Sequence, residues 1–133
     1  MGGRGRCRGR FVTPGKLASL AAYAGDWLRG DGPSRPFPFG PNPAVTASNA
    51  VYVVCGWSGR VLYVGSTTVG IATRFAQHAK DVSKTHDWTT AYVIPLKDGT
   101  PLRDVRRIEG RVGLAIGPER NKALPRITIV RQN

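Results

Sequence analysis

The sequence predicts a small α/β (α+β) domain. Two short β-branched runs face each other across a glycine-bounded turn, two amphipathic stretches have helical period, and a further strand lies between them. At 133 residues with 41% apolar side chains, the chain suits a single domain able to bury a modest core.

Residues 1–10 read as a basic arm in which Arg4, Arg6, Arg8 and Arg10 alternate with Gly and Cys, with nothing to build a core. Residues 14–29 read as a helix. Thr13 can cap it, Pro14 suits its first turn, and Leu17, Leu20, Ala21, Ala24 and Leu28 recur at helical spacing before Gly30. Residues 31–43 hold five of the ten prolines and read as an extended linker rather than a core element. Residues 1–47 are therefore expected to form an appendage, and residues 48–133 a compact domain.

The compact part opens with Val51–Cys55, a turn over Gly56-Trp57-Ser58-Gly59, and a second strand over Val61–Val64. A turn centred on Trp57-Ser58 sets Tyr52 directly across from Tyr63. By itself this is an ordinary stabilising aromatic pair worth about 0.2–1 kcal/mol, although Gly65 just beyond it permits close approach of backbone or ligand. Residues 68–82 read as a helix burying Ile71, Phe75, Ala79 and Val82. His78 falls inside that arc and Arg74, one turn earlier, at its edge. Residues 88–96 read as a strand and 101–116 as a helix closing at Gly117-Pro118. Ile127–Val130 reads as a final short strand.

On the 101–116 helix, Leu102, Val105, Ile108, Val112 and Ile116 span about 120° of arc, and Glu109 falls inside it, at about +40° from Val105. A carboxylate on an apolar stripe is costly unless compensated. Two readings stand: an internal ion pair, with Arg74 the candidate partner, or a metal ligand.

Charge is the strongest compositional signal. Twenty Lys and Arg against eight Asp and Glu give +12 and a pI of about 10.9. Residues 1–49 carry seven basic and two acidic groups, and residues 50–133 carry thirteen and six. Such an excess, dominated by Arg, points to a polyanionic partner. Apolar runs are short, so neither a membrane span nor a signal peptide is expected. The two cysteines, one in the arm and one in an apolar strand, suit a reducing, intracellular compartment. No Cys/His cluster has zinc spacing.

Val51-Tyr52 followed by Tyr63-Val64-Gly65 resembles the motif that names the GIY-YIG nucleases. The likeness continues through Arg74 with His78 four residues on, Glu109 on a later helix, and Asn121 in a downstream loop, and covers roughly residues 48–125. The hairpin alone is a weak motif; the ordered set is specific. Ala50 stands where the motif has Gly, and Val64 where it has Ile.

The resemblance implies a short, mostly antiparallel central sheet flanked by helices, and hydrolysis of a phosphodiester bond. It further implies Tyr52 as general base with His78 accepting or orienting its proton, and Tyr63 orienting water or phosphate. Arg74 would stabilise developing charge, Glu109 would hold one Mg²⁺ or Mn²⁺ ion, and Asn121 would bind phosphate or support the site. Arg4, Arg6, Arg8, Arg10, Gly65, Arg74 and Lys122 are the expected nucleic-acid contacts. Double-stranded DNA is the expected partner, in the cytoplasm with the nucleoid, with RNA left open; cutting both strands would call for a homodimer or two encounters. The rival readings are an inactive nucleic-acid-binding module of the same fold and a basic structural protein of a nucleoprotein assembly.

Overall fold

The computed structural model describes residues 11–117. The arm with Arg4, Arg6, Arg8 and Arg10, the loop with Asn121 and Lys122, and the expected strand at 127–130 lie outside them. The fold is α+β: a four-stranded antiparallel sheet flanked by helices. Its strands are β1 (Phe37–Pro38), β2 (Asn49–Cys55), β3 (Val61–Thr67) and β4 (Thr90–Leu96), in spatial order β1-β4-β2-β3. The helices are α1 (Pro14–Ser19), α2 (Ile71–Ala79), α3 (Val82–Thr85) and α4 (Leu102–Ile116). Among the described residues, no helix is long and apolar enough to cross a membrane.

Alternation along β2 separates two cores. Val51, Val53 and Cys55 face an aliphatic layer made with α4 and with Leu17, Leu20 and Ala24. Tyr52 and Val54 face an aromatic layer made with α2, Phe37 and Trp88. The segment read as an appendage thus supplies both layers. Phe37 is buried and pairs with Ala91, so the proline-rich stretch contributes an edge strand where a linker outside the core was expected. A strand of two residues ending in proline suits that position, because an edge strand can forgo one set of ladder bonds.

The expected helix over 14–29 divides. Thr13 caps α1 with its hydroxyl accepting from the Lys16 N–H at 3.1 Å. A 3-10 helical segment follows over Leu20–Trp27, kinked at Gly25, and Leu28 is extended, bridged to Leu96. Docking of Leu28 against the sheet overrides continuation of the helix.

The hairpin register differs from expectation by two residues. Tyr52 faces Gly65, and Tyr63 faces Val54. One residue of the shift comes from the turn: Gly56 N–H donates to the Arg60 carbonyl at 2.8 Å, which centres the loop on Ser58, with Gly59 at φ 90°. The other comes from a bulge. Between Val54 and Cys55 the facing strand steps from Tyr63 to Val61, and Leu62 is the extra residue. A slip of two keeps every side chain on its face, so the tyrosines still share one face and meet diagonally.

The expected helix over 68–82 is two helices, α2 and α3, joined at Lys80-Asp81. Val82 is exposed and Ala79 half-buried; His78 instead joins Ile71 and Phe75 on the buried face. On α4 the stripe is Val105, Ile108, Val112 and Ile116, all fully buried, and Gly117 closes the helix in the left-handed region. Leu102, in the first turn, is half exposed rather than part of the stripe.

Candidate active site

Tyr52 and Tyr63 stack with ring centroids 6.2 Å apart. Gly65 makes room for them. A Cβ at that position would lie 2.6 Å from the Tyr52 hydroxyl oxygen and 2.8 Å from Tyr63 Cε2. The space at this glycine is thus taken by the two phenol rings, where a backbone or ligand was expected to approach.

The α2 helix lays His78 and Arg74 over this pair. The Tyr52 hydroxyl and His78 Nε2 are 2.7 Å apart and both side chains are buried. Burial, followed by the positive charges of Lys84 and Arg74, holds the His78 imidazole down at about 3, with Asp81 opposing. The ring is therefore neutral near pH 7, and its tautomer decides whether Nε2 or the Tyr52 hydroxyl donates across this contact. Burial, with a smaller contribution from Tyr63, pushes the Tyr52 phenol well above the usual tyrosine range against the opposing pull of Arg74. Tyr63 is raised for the same first reason, again opposed by Arg74. Burial works against the Arg74 charge, but hydrogen bonding and attraction to both phenol oxygens leave its pKa raised. The Arg74 guanidinium, whose Nη1 donates to Gln77 Oε1 at 3.1 Å, lies near enough to act on both phenols.

Glu109 approaches from the other face. Ser66 lies opposite Val51 and so points toward α4, where its hydroxyl donates to Glu109 Oε1 at 2.5 Å. Glu109 is half-buried at the rim of the aliphatic stripe. Burial raises its pKa, with the Ser66 hydrogen bond and the charges of Arg106 and Arg74 opposing. Among the described residues it forms no salt bridge, so the ion pair to Arg74 is not closed. Because β3 is an edge strand, groups from both faces meet around it: the charge of Glu109 acts on both phenols and that of Arg74 on Glu109.

Among the described residues, no three His, Cys, Asp or Glu side chains cluster to cage a metal. One carboxylate backed by a hydroxyl still fits a Mg²⁺-like ion, which keeps several waters and takes further oxygens from a bound phosphate.

Five of the six residues expected at the site are thus brought together from β2, β3, α2 and α4; Asn121 lies outside the described residues. Sequence reasoning missed Ser66, Lys84 and Trp88. Ser66 was accessible from strand alternation, since it points opposite to Gly65. Lys84 and Trp88 carry no local signal. The Trp88 ring lies 5.0 Å from both Tyr63 and His78, and Lys84 Nζ lies 4.5 Å over the Tyr63 ring.

Comparison with protein-family models, with curated proteins and with solved structures gives no match.

Proposed function

We propose that this protein is a divalent-metal-dependent endonuclease of the GIY-YIG type that hydrolyses phosphodiester bonds in DNA. One observation carries the reading: Tyr52, Tyr63, Arg74, His78 and Glu109, scattered over 58 positions of sequence, converge around one strand edge with the polar groups that water attack on a phosphodiester requires. The net charge of +12 supports a nucleic-acid partner.

In this reading Tyr52 takes the proton of the attacking water and can pass its own to His78 Nε2, already in line at 2.7 Å. Tyr63 orients the water or the phosphate. Arg74 meets the charge that develops on the phosphoryl oxygens, as a fixed donor in a partly dry site. Glu109, oriented by Ser66, would hold a Mg²⁺ or Mn²⁺ ion. Such an ion, when bound, neutralises the leaving oxygen. Arg4, Arg6, Arg8, Arg10 and Lys122 would add phosphate contacts, and two copies of the chain would be needed to cut both strands in one encounter.

The test is cleavage of duplex DNA with Mg²⁺ or Mn²⁺, with excess EDTA, and by the Glu109→Ala variant. Cutting should need the metal and be lost in Glu109→Ala, while binding is largely kept. Full cutting in EDTA, or by the variant, refutes the metal role; an inert wild-type protein refutes the nuclease.

A second reading is favoured by one observation. Tyr52 has no exposed surface, and burial keeps its proton in place. That suits a nucleic-acid-binding module of the same fold whose aromatic pair only supports structure. It predicts binding without turnover.

A further inference from the structure

Lys84 belongs to none of the roles above, yet it is held at the same place. Asp81 caps α3: its Oδ1 accepts the Lys84 backbone N–H at 3.2 Å and the Ser83 hydroxyl at 2.8 Å. That turn carries the lysine stem back over the aromatic layer, where Nζ lies 4.5 Å from the Tyr63 ring centroid and 5.7 Å from that of Trp88. Ring faces attract an ammonium and hold it in position. Arg74, one of whose nitrogens donates to Gln77 Oε1 at 3.1 Å, is near enough to the same tyrosine to act on its phenol. The two cations are near enough to repel, and Asp81 is an acidic group that moderates Lys84. Among the described residues the buried Trp88 indole N–H has no hydrogen-bond partner. Two cations gathered about one phenol oppose each other in the protein alone, and an anion seated between them stabilises both.

We propose that Lys84 is a second phosphate-binding cation of this site: its ammonium and the Arg74 guanidinium grip one phosphodiester group of the nucleic acid between them, beside Tyr63. The proposal rests on the nuclease reading for the identity of the polyanion, but its test needs no cleavage. Lys84 supplies a point charge where Arg74 supplies a planar fork. Together they would fix the phosphate from two directions.

The experiment measures binding of a fluorescein-labelled DNA duplex in EDTA over a series of KCl concentrations, for wild type, Lys84→Gln, Lys84→Arg and the exposed control Lys16→Gln. In parallel, inorganic phosphate is titrated into the wild-type protein and the Tyr63 ring is followed by NMR. Lys84→Gln should flatten the slope of log affinity against log salt by about 0.9, one phosphate contact. It should weaken binding on the order of tenfold, as for a hydrogen bond to a charged group. Lys84→Arg should keep most of both. Phosphate should shift the Tyr63 ring signals in wild type and less in Lys84→Gln. An unchanged salt slope in folded Lys84→Gln overturns the proposal. So does a wild-type Tyr63 ring indifferent to phosphate, a result that stands even where the variants fail to fold. Wild-type protein that binds with the expected slopes but never cuts would remove the nuclease reading and leave this one.

Discussion

The two faces of the sheet bury comparable numbers of side chains but do different work. One face, with Val51, Val53, Ile108 and Ile116, is mostly aliphatic; apart from the Cys55 thiol and the buried Tyr92 hydroxyl its polar atoms lie at the rim, where Ser66 orients Glu109. The aromatic face sets Tyr52, Tyr63 and Trp88 against His78 and Arg74, so polar atoms run through the layer itself. A dry aliphatic layer stabilises by area and packing and tolerates little polarity. An aromatic layer can carry hydroxyls and ring nitrogens, provided each finds a partner. The first face holds the fold; the second holds titratable groups in a chosen protonation state.

Four measurements sharpen or break that contrast. The largest effect is expected from Tyr52→Phe, which keeps the ring and removes one hydroxyl. Single-turnover cleavage should fall by about 10²- to 10⁴-fold if Tyr52 is the base, with DNA affinity nearly unchanged and unfolding free energy lowered by about 1–3 kcal/mol, because buried His78 loses its hydroxyl partner. Because burial raises the phenol pKa, the reactive form grows as pH rises, so the wild-type rate should climb through pH 7–10, and the variant's should not. Wild-type rates in Tyr52→Phe would make the face purely structural, and a greater loss in Tyr63→Phe would move the base to the less deeply buried tyrosine.

Ile108→Ala, on the other face, should leave the rate per folded molecule alone and lower unfolding free energy by about 2–5 kcal/mol. Ile108 is fully buried against the sheet. Denaturant melts would show it; a rate defect in protein proven folded would mean that the faces are coupled.

Gly65→Ala should affect both properties. Its new Cβ would collide with the Tyr52 hydroxyl and the Tyr63 ring edge, costing about 1–3 kcal/mol by overpacking. It should also displace the phenols and depress cleavage. A variant that melts and cuts like wild type would mean that the rings adjust without consequence.

The last measurement is the pH dependence of stability. His78 has a folded-state pKa depressed to about 3 from an ordinary 6.5. Between those values the unfolded chain binds the extra proton, so stability is complete above about 6.5 and is lost as pH falls toward 3. Thermal melts should decline over that window more steeply for wild type than for His78→Gln. Parallel curves would show that His78 is not held neutral by the fold.

Much was legible beforehand, for identifiable reasons. The stripe on α4 and its stop at Gly117 follow from 3.6-residue period and capping, which are local, and Glu109 stood out as a carboxylate inside that stripe; the structure sets it at the rim because Leu102 is half exposed. The shared face of Tyr52 and Tyr63 followed from two-residue alternation, even though the pairing itself was two residues off. The bulge at Leu62 and the five-residue turn were not legible, since both are set by how the strands dock. Phe37 was hidden among prolines that signal extended chain without saying where it lies.

The sequence by itself determined the α+β class, the strand and helix periods, and the faces on which its chemistry-bearing residues fall, because these depend on neighbours a few positions apart. Only the tertiary structure decided that Ser66 orients Glu109, that His78 meets the Tyr52 hydroxyl, and that Lys84 lies over Tyr63. Those contacts span 43, 26 and 21 positions of the chain. They exist because helices pack over both faces of the sheet, and local sequence carries no trace of which strand each helix will cover.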